Sequence, residues 1–248
     1  MDTATHLDTF RSDGLLFARA AERAGLDAPL PTCPDWRMRD LVAHLGGVHR
    51  WVTVVLQSGR PERPTRAQAA PAFVSPGDDE LLDWYRTAHA NLLDALAAAT
   101  PQTVCWQFFE GSSPWAFWAR RQAHETAIHR IDAETATGAV SPVAPEFAVD
   151  GIDELLTGFV PRMRGKLVSD PPATIAIVPD DGKAGWTLHI GADDLLVTSE
   201  ARPADVTLTG PAEELYPLLW NRVEPTRCRI EGNAELLRLW RESAKVNM

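Results

Sequence analysis

The chain has 248 residues, 45% of them hydrophobic and 23% charged, with 34 acidic side chains against 24 basic ones. That composition belongs to an ordinary folded protein with room for one large domain or two of usual size. The net charge of −10 argues against a nucleic acid as partner, and no apolar run approaches the roughly 18 residues of a membrane span.

The opening residues, MDTATHLDTF, lack a basic stretch followed by an apolar core, so no secretory leader is expected and the cytoplasm is the expected compartment. Residues 5–24 predict a first helix, with Leu7, Phe10, Phe17 and Ala21 at helical spacing and Gly25 to end it. Residues 28–34 read as a turn-rich connection. Asp35 is the expected cap of a second helix, whose apolar stripe is Leu41, Leu45, Val48, Val52 and Val55. His44 falls within that stripe, whereas His49 lies about 140° further round and does not share its face. Residues 59–77, rich in proline and arginine, predict a long loop. A third helix is expected over 79–98, with His89 touching its apolar side as a competing ligand. An irregular aromatic segment, CWQFFEGSSP, leads into a fourth helix over 115–134. The four together predict an antiparallel bundle.

After Gly138 the pattern changes. SPVAPE reads as a linker and 146–164 as a helix. The runs ATIAIVP, GWTLHIG, DLLVTSE and ADVTLTG then read as strands, separated by turns such as DDG at 180–182 and GAD at 191–193. A helix over 212–221, a strand over 227–231 and a last helix from about Asn233 complete an α+β unit. The expected organisation is an all-α four-helix bundle over residues 1–142 and a smaller α+β domain over 143–248.

The fourth helix, WAFWARRQAHETAIHRIDAE, carries the chemistry. Glu125 and His129 are four residues apart and share a face with Trp118, Gln122 and Asp132. A solvated face is one reading of that polarity. Against it stand the large aromatics Trp115 and Trp118 and the inward position of His44 on the second helix. A buried ionised carboxylate without a partner costs several kcal/mol. A divalent cation held by His44, Glu125 and His129 removes that cost. Two nitrogens and one oxygen suit Zn²⁺ with a fourth position open, and a ferrous facial set is the other reading. His124 and His129 are five apart, so the HExxH geometry of a metalloprotease fails. Asp132 is placed to orient an imidazole or to face solvent.

Three motifs, CPDWRMRDLVAHLGG, ARRQAHETAIHRIDAE and LLWNRVEP…IEGNAELL, together resemble the mycothiol-dependent maleylpyruvate isomerase family of actinobacteria. The resemblance spans nearly the whole chain. It implies a DinB-like metal-binding bundle followed by a sterol-carrier-like domain. It implies zinc on a histidine of the second helix and on a Glu and His four apart on the fourth, matched here by His44, Glu125 and His129. It also implies a substrate-binding arginine in the C-terminal domain, matched by Arg222, whose guanidinium suits a dicarboxylate. Arg120 and Arg121, flanking the metal helix, are alternatives. The implied partners are mycothiol, a low-molecular-weight thiol, and a small electrophile, in an isomerase or an S-transferase. Two other functions fit the residues: a hydrolase using zinc-bound water, and a non-enzymatic ligand-binding protein with a structural metal.

Overall fold

A computed structural model describes residues 1–109, 111–180, 182 and 184–245. The chain divides into two compact units, Met1–Ser141 and Pro142–Met248.

The first unit is helical: α1 (Thr3–Ala24), α2 (Met38–Gln57), a single turn α3 (Arg66–Ala69), α4 (Asp78–Ala98) and α5 (Pro114–Thr135). Two local expectations need correction. Asp35 does not cap α2; Arg37 is the N-cap residue, and its backbone N–H donates to the side chain of Asp40 at 2.8 Å. The loop after α2 is not structureless. Thr65 and Gln68 form a capping box that starts α3, which runs into a 3₁₀ turn at Ala70–Phe73.

Side-chain pairings give the helix directions. His6 meets His124 and Asp13 meets Arg130, so α1 and α5 run parallel. Gly46 lies against Trp84 and Arg39 pairs with Asp78, so α2 and α4 also run parallel. Trp51 packs on Trp118 while His44 packs on His129, so α2 and α5 are antiparallel. The bundle is therefore up–down–down–up rather than simply alternating. Parallel neighbours need a connection as long as the bundle, and the stretch from α2 to α4 supplies it. The core gathers Phe17, Leu30, Met38, Leu41, Leu45, Leu81 and Tyr85. At Gly14 the ring of His89 crosses the backbone so closely that a Cβ would lie 2.1 Å from its Nε2.

The second unit begins with α6 (Pro145–Asp153), which continues as a wider turn over Glu154–Phe159 and a 3₁₀ turn over Val160–Met163. Five strands follow in a mixed sheet: β1 (Ala173–Pro179), β2 (Trp186–Ile190), β3 (Leu195–Thr198), β4 (Val206–Gly210) and β5 (Arg229–Gly232). Their spatial order is β3-β2-β1-β4-β5, with β1 and β4 parallel and the other pairs antiparallel. Of the turn expected at 180–182, Asp181 lies outside the described residues; the Gly182 N–H donates to the Pro179 carbonyl at 3.1 Å. Ile175, Ile177, Leu188, Val206 and Leu208 form the buried side of the sheet. Helix α7 (Ala212–Leu219) packs on β4 and α6, and α8 (Glu235–Ser243) buries Trp240, whose indole donates to the Leu219 carbonyl at 3.0 Å. An all-α bundle followed by a small α+β unit is the architecture read from the sequence. No helix among the described residues is long and apolar enough to cross a membrane.

Candidate metal centre

Helix α5 is buried almost throughout, including its polar face. Arg121, Gln122, Glu125, Thr126, His129, Arg130, Asp132 and Glu134 are all buried. The solvated-face reading fails because α5 packs along α1 on one side and faces α2 on the other. Buried polar groups need partners, so each must be accounted for.

Glu125, His129 and His44 converge in the seam between α5 and α2. One ligand atom from each lies within 4.8 Å of the other two. Glu125 Oε1 is 3.3 Å from His129 Nε2 and 3.6 Å from His44 Nε2. The two imidazoles stand edge to face, with ring centres 5.1 Å apart. A tetrahedral ion with bonds of roughly 2.0–2.2 Å sets its ligand atoms about 3.3–3.6 Å apart, so these separations suit a cation between them. Glu125 Oε1 is buried and faces the two imidazoles without a well-directed hydrogen bond to either, a position that a cation between the three would satisfy. The His44 side chain is 25% exposed against 4% for Glu125, so the site opens to solvent on the α2 side.

The groups around this triad fix its chemistry. The second carboxylate oxygen, Glu125 Oε2, accepts from Arg121 at 3.2 Å, which leaves Oε1 free to turn into the seam. His129 Nδ1 donates to Asp132 Oδ2 at 2.9 Å, which fixes the ring orientation and directs Nε2 at Glu125. Burial alone would lower the His129 pKa, but the Asp132 and Glu125 carboxylates outweigh it and hold it up at about 9. Burial would raise Glu125, yet His129, His44 and Arg121 hold it well below the usual carboxylate range. The metal-free site is thus a carboxylate facing an imidazolium, and a cation must displace the imidazolium proton.

A pH dependence follows from that exchange. Below about pH 9 His129 carries a proton that binding must release, so zinc affinity is expected to climb with pH and to level off above 9. Calorimetric titration in buffers of differing ionisation enthalpy should record about one proton released per zinc at pH 7. Affinity that does not change between pH 6 and 8 would contradict it.

The other buried histidines meet partners elsewhere. His89 Nε2 donates to the Phe10 carbonyl at 3.1 Å, so it is a core histidine rather than a competing ligand. His49 Nε2 hydrogen-bonds Thr126 at 3.1 Å, and burial holds its pKa well below the normal value. His124 packs edge-on against His6. An aromatic wall closes the seam two turns from the triad, where Trp51, Trp106 and Phe108 surround Trp118, whose indole donates to the Trp106 carbonyl at 2.6 Å. Of the segment CWQFFEGSSP, Glu110 lies outside the described residues. Trp115 is tied to the end of α4 through the Leu96 carbonyl at 3.0 Å. A separate cavity of about 390 Å³ lies between α2, α4 and the 68–72 turn, with Arg50 over the ring of Trp84.

Arg121 is, with Arg120, an alternative to Arg222 as the substrate guanidinium on the sequence alone. It is instead fully buried and braces Glu125; the i,i+4 spacing of the two was the available signal. Arg120 is half-buried on α5. In the second unit, Arg222 follows a helix end with a Schellman pattern. Its N–H donates to the Pro217 carbonyl and that of Asn221 to Leu218, both at 2.9 Å, with Asn221 at φ 61. Arg222 Nη1 donates to the Trp220 carbonyl at 2.8 Å.

Residues 7–134 match the model of the mycothiol maleylpyruvate isomerase N-terminal domain, and residues 146–239 match that of the C-terminal domain of the same family. The chain belongs to the mycothiol maleylpyruvate isomerase family. Two solved structures resemble this family member: crystal structures of the mycothiol-dependent maleylpyruvate isomerase and of a histidine-to-alanine mutant of it. Each has a TM-score of 0.67 and 12% identity over 93% of both chains, a likeness that establishes the shared fold. No curated protein sequence matches this member of the isomerase family.

Proposed function

We propose that this chain is a metal-dependent enzyme using mycothiol or a closely similar thiol against a small electrophile. The reaction is either cis–trans isomerisation of a maleylpyruvate-type substrate or thiol S-transfer, in the cytoplasm. The observation that carries this reading is the buried Glu125 Oε1 facing both His129 Nε2 and His44 Nε2. Two imidazole nitrogens and one carboxylate oxygen favour Zn²⁺ with a fourth position open. When bound, such a cation lowers the pKa of a thiol at that position, so that it is a thiolate at neutral pH.

Two of the chain's three thiols, those of Cys105 and Cys228, do not compete for the role. Burial pushes the thiols of Cys105 and Cys228 up to about 11, so both stay protonated. This supports a nucleophile supplied from outside. In the isomerase reading, the cosubstrate sulfur bonds to one alkene carbon and the π pair moves into the conjugated carbonyl. Rotation about the resulting single bond follows, and re-forming the double bond expels the thiolate. The balance is closed: thiol in, thiol out. In S-transfer the first bond formation is retained and a leaving group or proton completes it. His44, Glu125 and His129 would hold the cation, Asp132 holds His129, and Arg222 is the proposed partner of a substrate carboxylate.

The test is thiol dependence. Zinc-loaded protein is incubated with maleylpyruvate, and separately with an alkylating electrophile such as monobromobimane, with and without mycothiol. Consumption that needs both protein and mycothiol is the expected result. Turnover without any thiol would overturn the reading in favour of hydrolysis by metal-bound water.

A further inference from the structure

Among the described residues, Gln122 is a polar group in the seam that the metal site leaves over. Gln122 is 1% exposed, and its Oε1 is buried without a hydrogen-bond partner. Leaving a buried amide oxygen unsatisfied is unfavourable, so its persistence calls for a physical reason.

Its position supplies one. On the helical wheel Gln122 falls between His129 and Thr126, roughly 20° from the first and 40° from the second. Both of those residues meet α2, through His44 and His49 respectively. Gln122 therefore also faces α2, in the same seam as the triad. Along the axis it lies about 4.5 Å from Glu125, on the side toward Trp118. Side chains of a helix lean toward its N-terminus, so the Gln122 amide stands one step beyond the Glu125 carboxylate, between it and the aromatic wall. The indole Nε1 of Trp51, which packs on that wall, is likewise buried without a partner.

An orphaned acceptor calls for a donor. A dicarboxylate substrate offers only acceptors. A thiol derived from an N-acylated cysteine carries an amide N–H three bonds from its sulfur. Were that sulfur held beside Glu125, an N–H three bonds on would have to span only about one helical step to meet Gln122. Resting on the thiol-dependent reading above, we propose that Gln122 is a thiol-recognition residue, accepting a hydrogen bond from the amide N–H next to the sulfur of the cosubstrate. It thereby selects cysteine-based thiols over simple alkyl thiols.

The experiment compares two thiols on zinc-loaded protein by calorimetry. N-Acetylcysteine carries the amide N–H; 3-mercaptopropionate has the same thiol and carboxylate without it. Wild type is expected to bind N-acetylcysteine about tenfold more tightly, a difference of about 1.4 kcal/mol. Gln122→Leu is expected to keep its zinc and to lose that preference, while Gln122→Glu, which retains an acceptor, keeps it. A preference that survives Gln122→Leu, or is absent from wild type, overturns this inference while leaving the thiol reading intact. Failure of wild type to bind either thiol overturns both. Should Gln122→Leu lose its zinc, Gln122→Met, closer in shape, is measured instead; loss of zinc there too would assign Gln122 to the assembly of the metal site and overturn its role in thiol recognition.

Discussion

Glu125→Ala is expected to abolish stoichiometric zinc binding and, with it, thiol-dependent turnover. Glu125 supplies the only anionic ligand of the proposed set, and its Oε1 lies close to both imidazoles. The loss should exceed the roughly 10–100-fold that removal of a supporting group costs, which is the expectation for Asp132→Asn. The alanine also removes the carboxylate partner of the fully buried Arg121, so part of its effect is on folding. Glu125→Gln separates the two. It keeps the volume and an acceptor for Arg121 but removes the charge, and it should retain the fold while losing zinc. Metal analysis and urea unfolding of the same preparations read both quantities. A Glu125→Gln protein that holds as much zinc as wild type would show that the carboxylate is not a ligand.

The second large effect is expected far from that chemistry, at Arg130. This buried guanidinium meets Asp13 at 3.2 Å and Glu134 at 2.7 Å, and donates to the Ser141 carbonyl at 2.9 Å. Glu134 in turn accepts from the Ser141 backbone N–H and hydroxyl at 2.8 and 2.7 Å. The network ties α1 to the C-terminal end of α5 and so fixes the helix that carries Glu125 and His129. Removing one member of a buried ion cluster typically costs about 3–5 kcal/mol, because the others stay buried. Arg130→Met, which keeps the bulk of the stem, is expected to destabilise the bundle by that amount near pH 8.

The pH dependence of that loss has a definite sign. Burial raises the Asp13 carboxyl to about 6, with Arg130 pulling against it. A carboxyl whose folded pKa lies above its unfolded value, about 3.9, costs stability as pH rises through that window. Without Arg130 the folded value rises further and the window widens upward. Arg130→Met should therefore be penalised less at pH 5 than at pH 8. Equal penalties at the two values would mean that lost packing, not the stranded carboxylate, accounts for the effect.

Much of this molecule was legible in its residues. The spacing of Glu125 and His129 puts them on one face, and the apolar stripe of α2 turns His44 inward. Strand alternation marked the sheet. What was hidden depends on which helices are neighbours. The polar face of α5 reads as solvated until α1 and α2 are laid along it. Arg130 and Asp13 are more than a hundred residues apart, and no local pattern pairs them. Gln122 looks like any surface glutamine until it is found buried. The short helix α3 carries a local signal of its own: Thr65 followed three residues later by Gln68 is a capping box, set among prolines and arginines that read as loop. At α2 the expected cap was misplaced by two residues, because the acidic side chain that serves the N-terminus is Asp40, reaching back to Arg37.

The central claim is that His44, Glu125 and His129 share one cation. Anomalous diffraction at the zinc edge, from crystals of zinc-loaded protein, tests it most directly. A single strong peak about 2.0–2.2 Å from His44 Nε2, Glu125 Oε1 and His129 Nε2 is the expected result. A zinc-loaded crystal whose anomalous peak lies on other residues, with Glu125 Oε1 still 3.3 and 3.6 Å from His129 Nε2 and His44 Nε2, would contradict it.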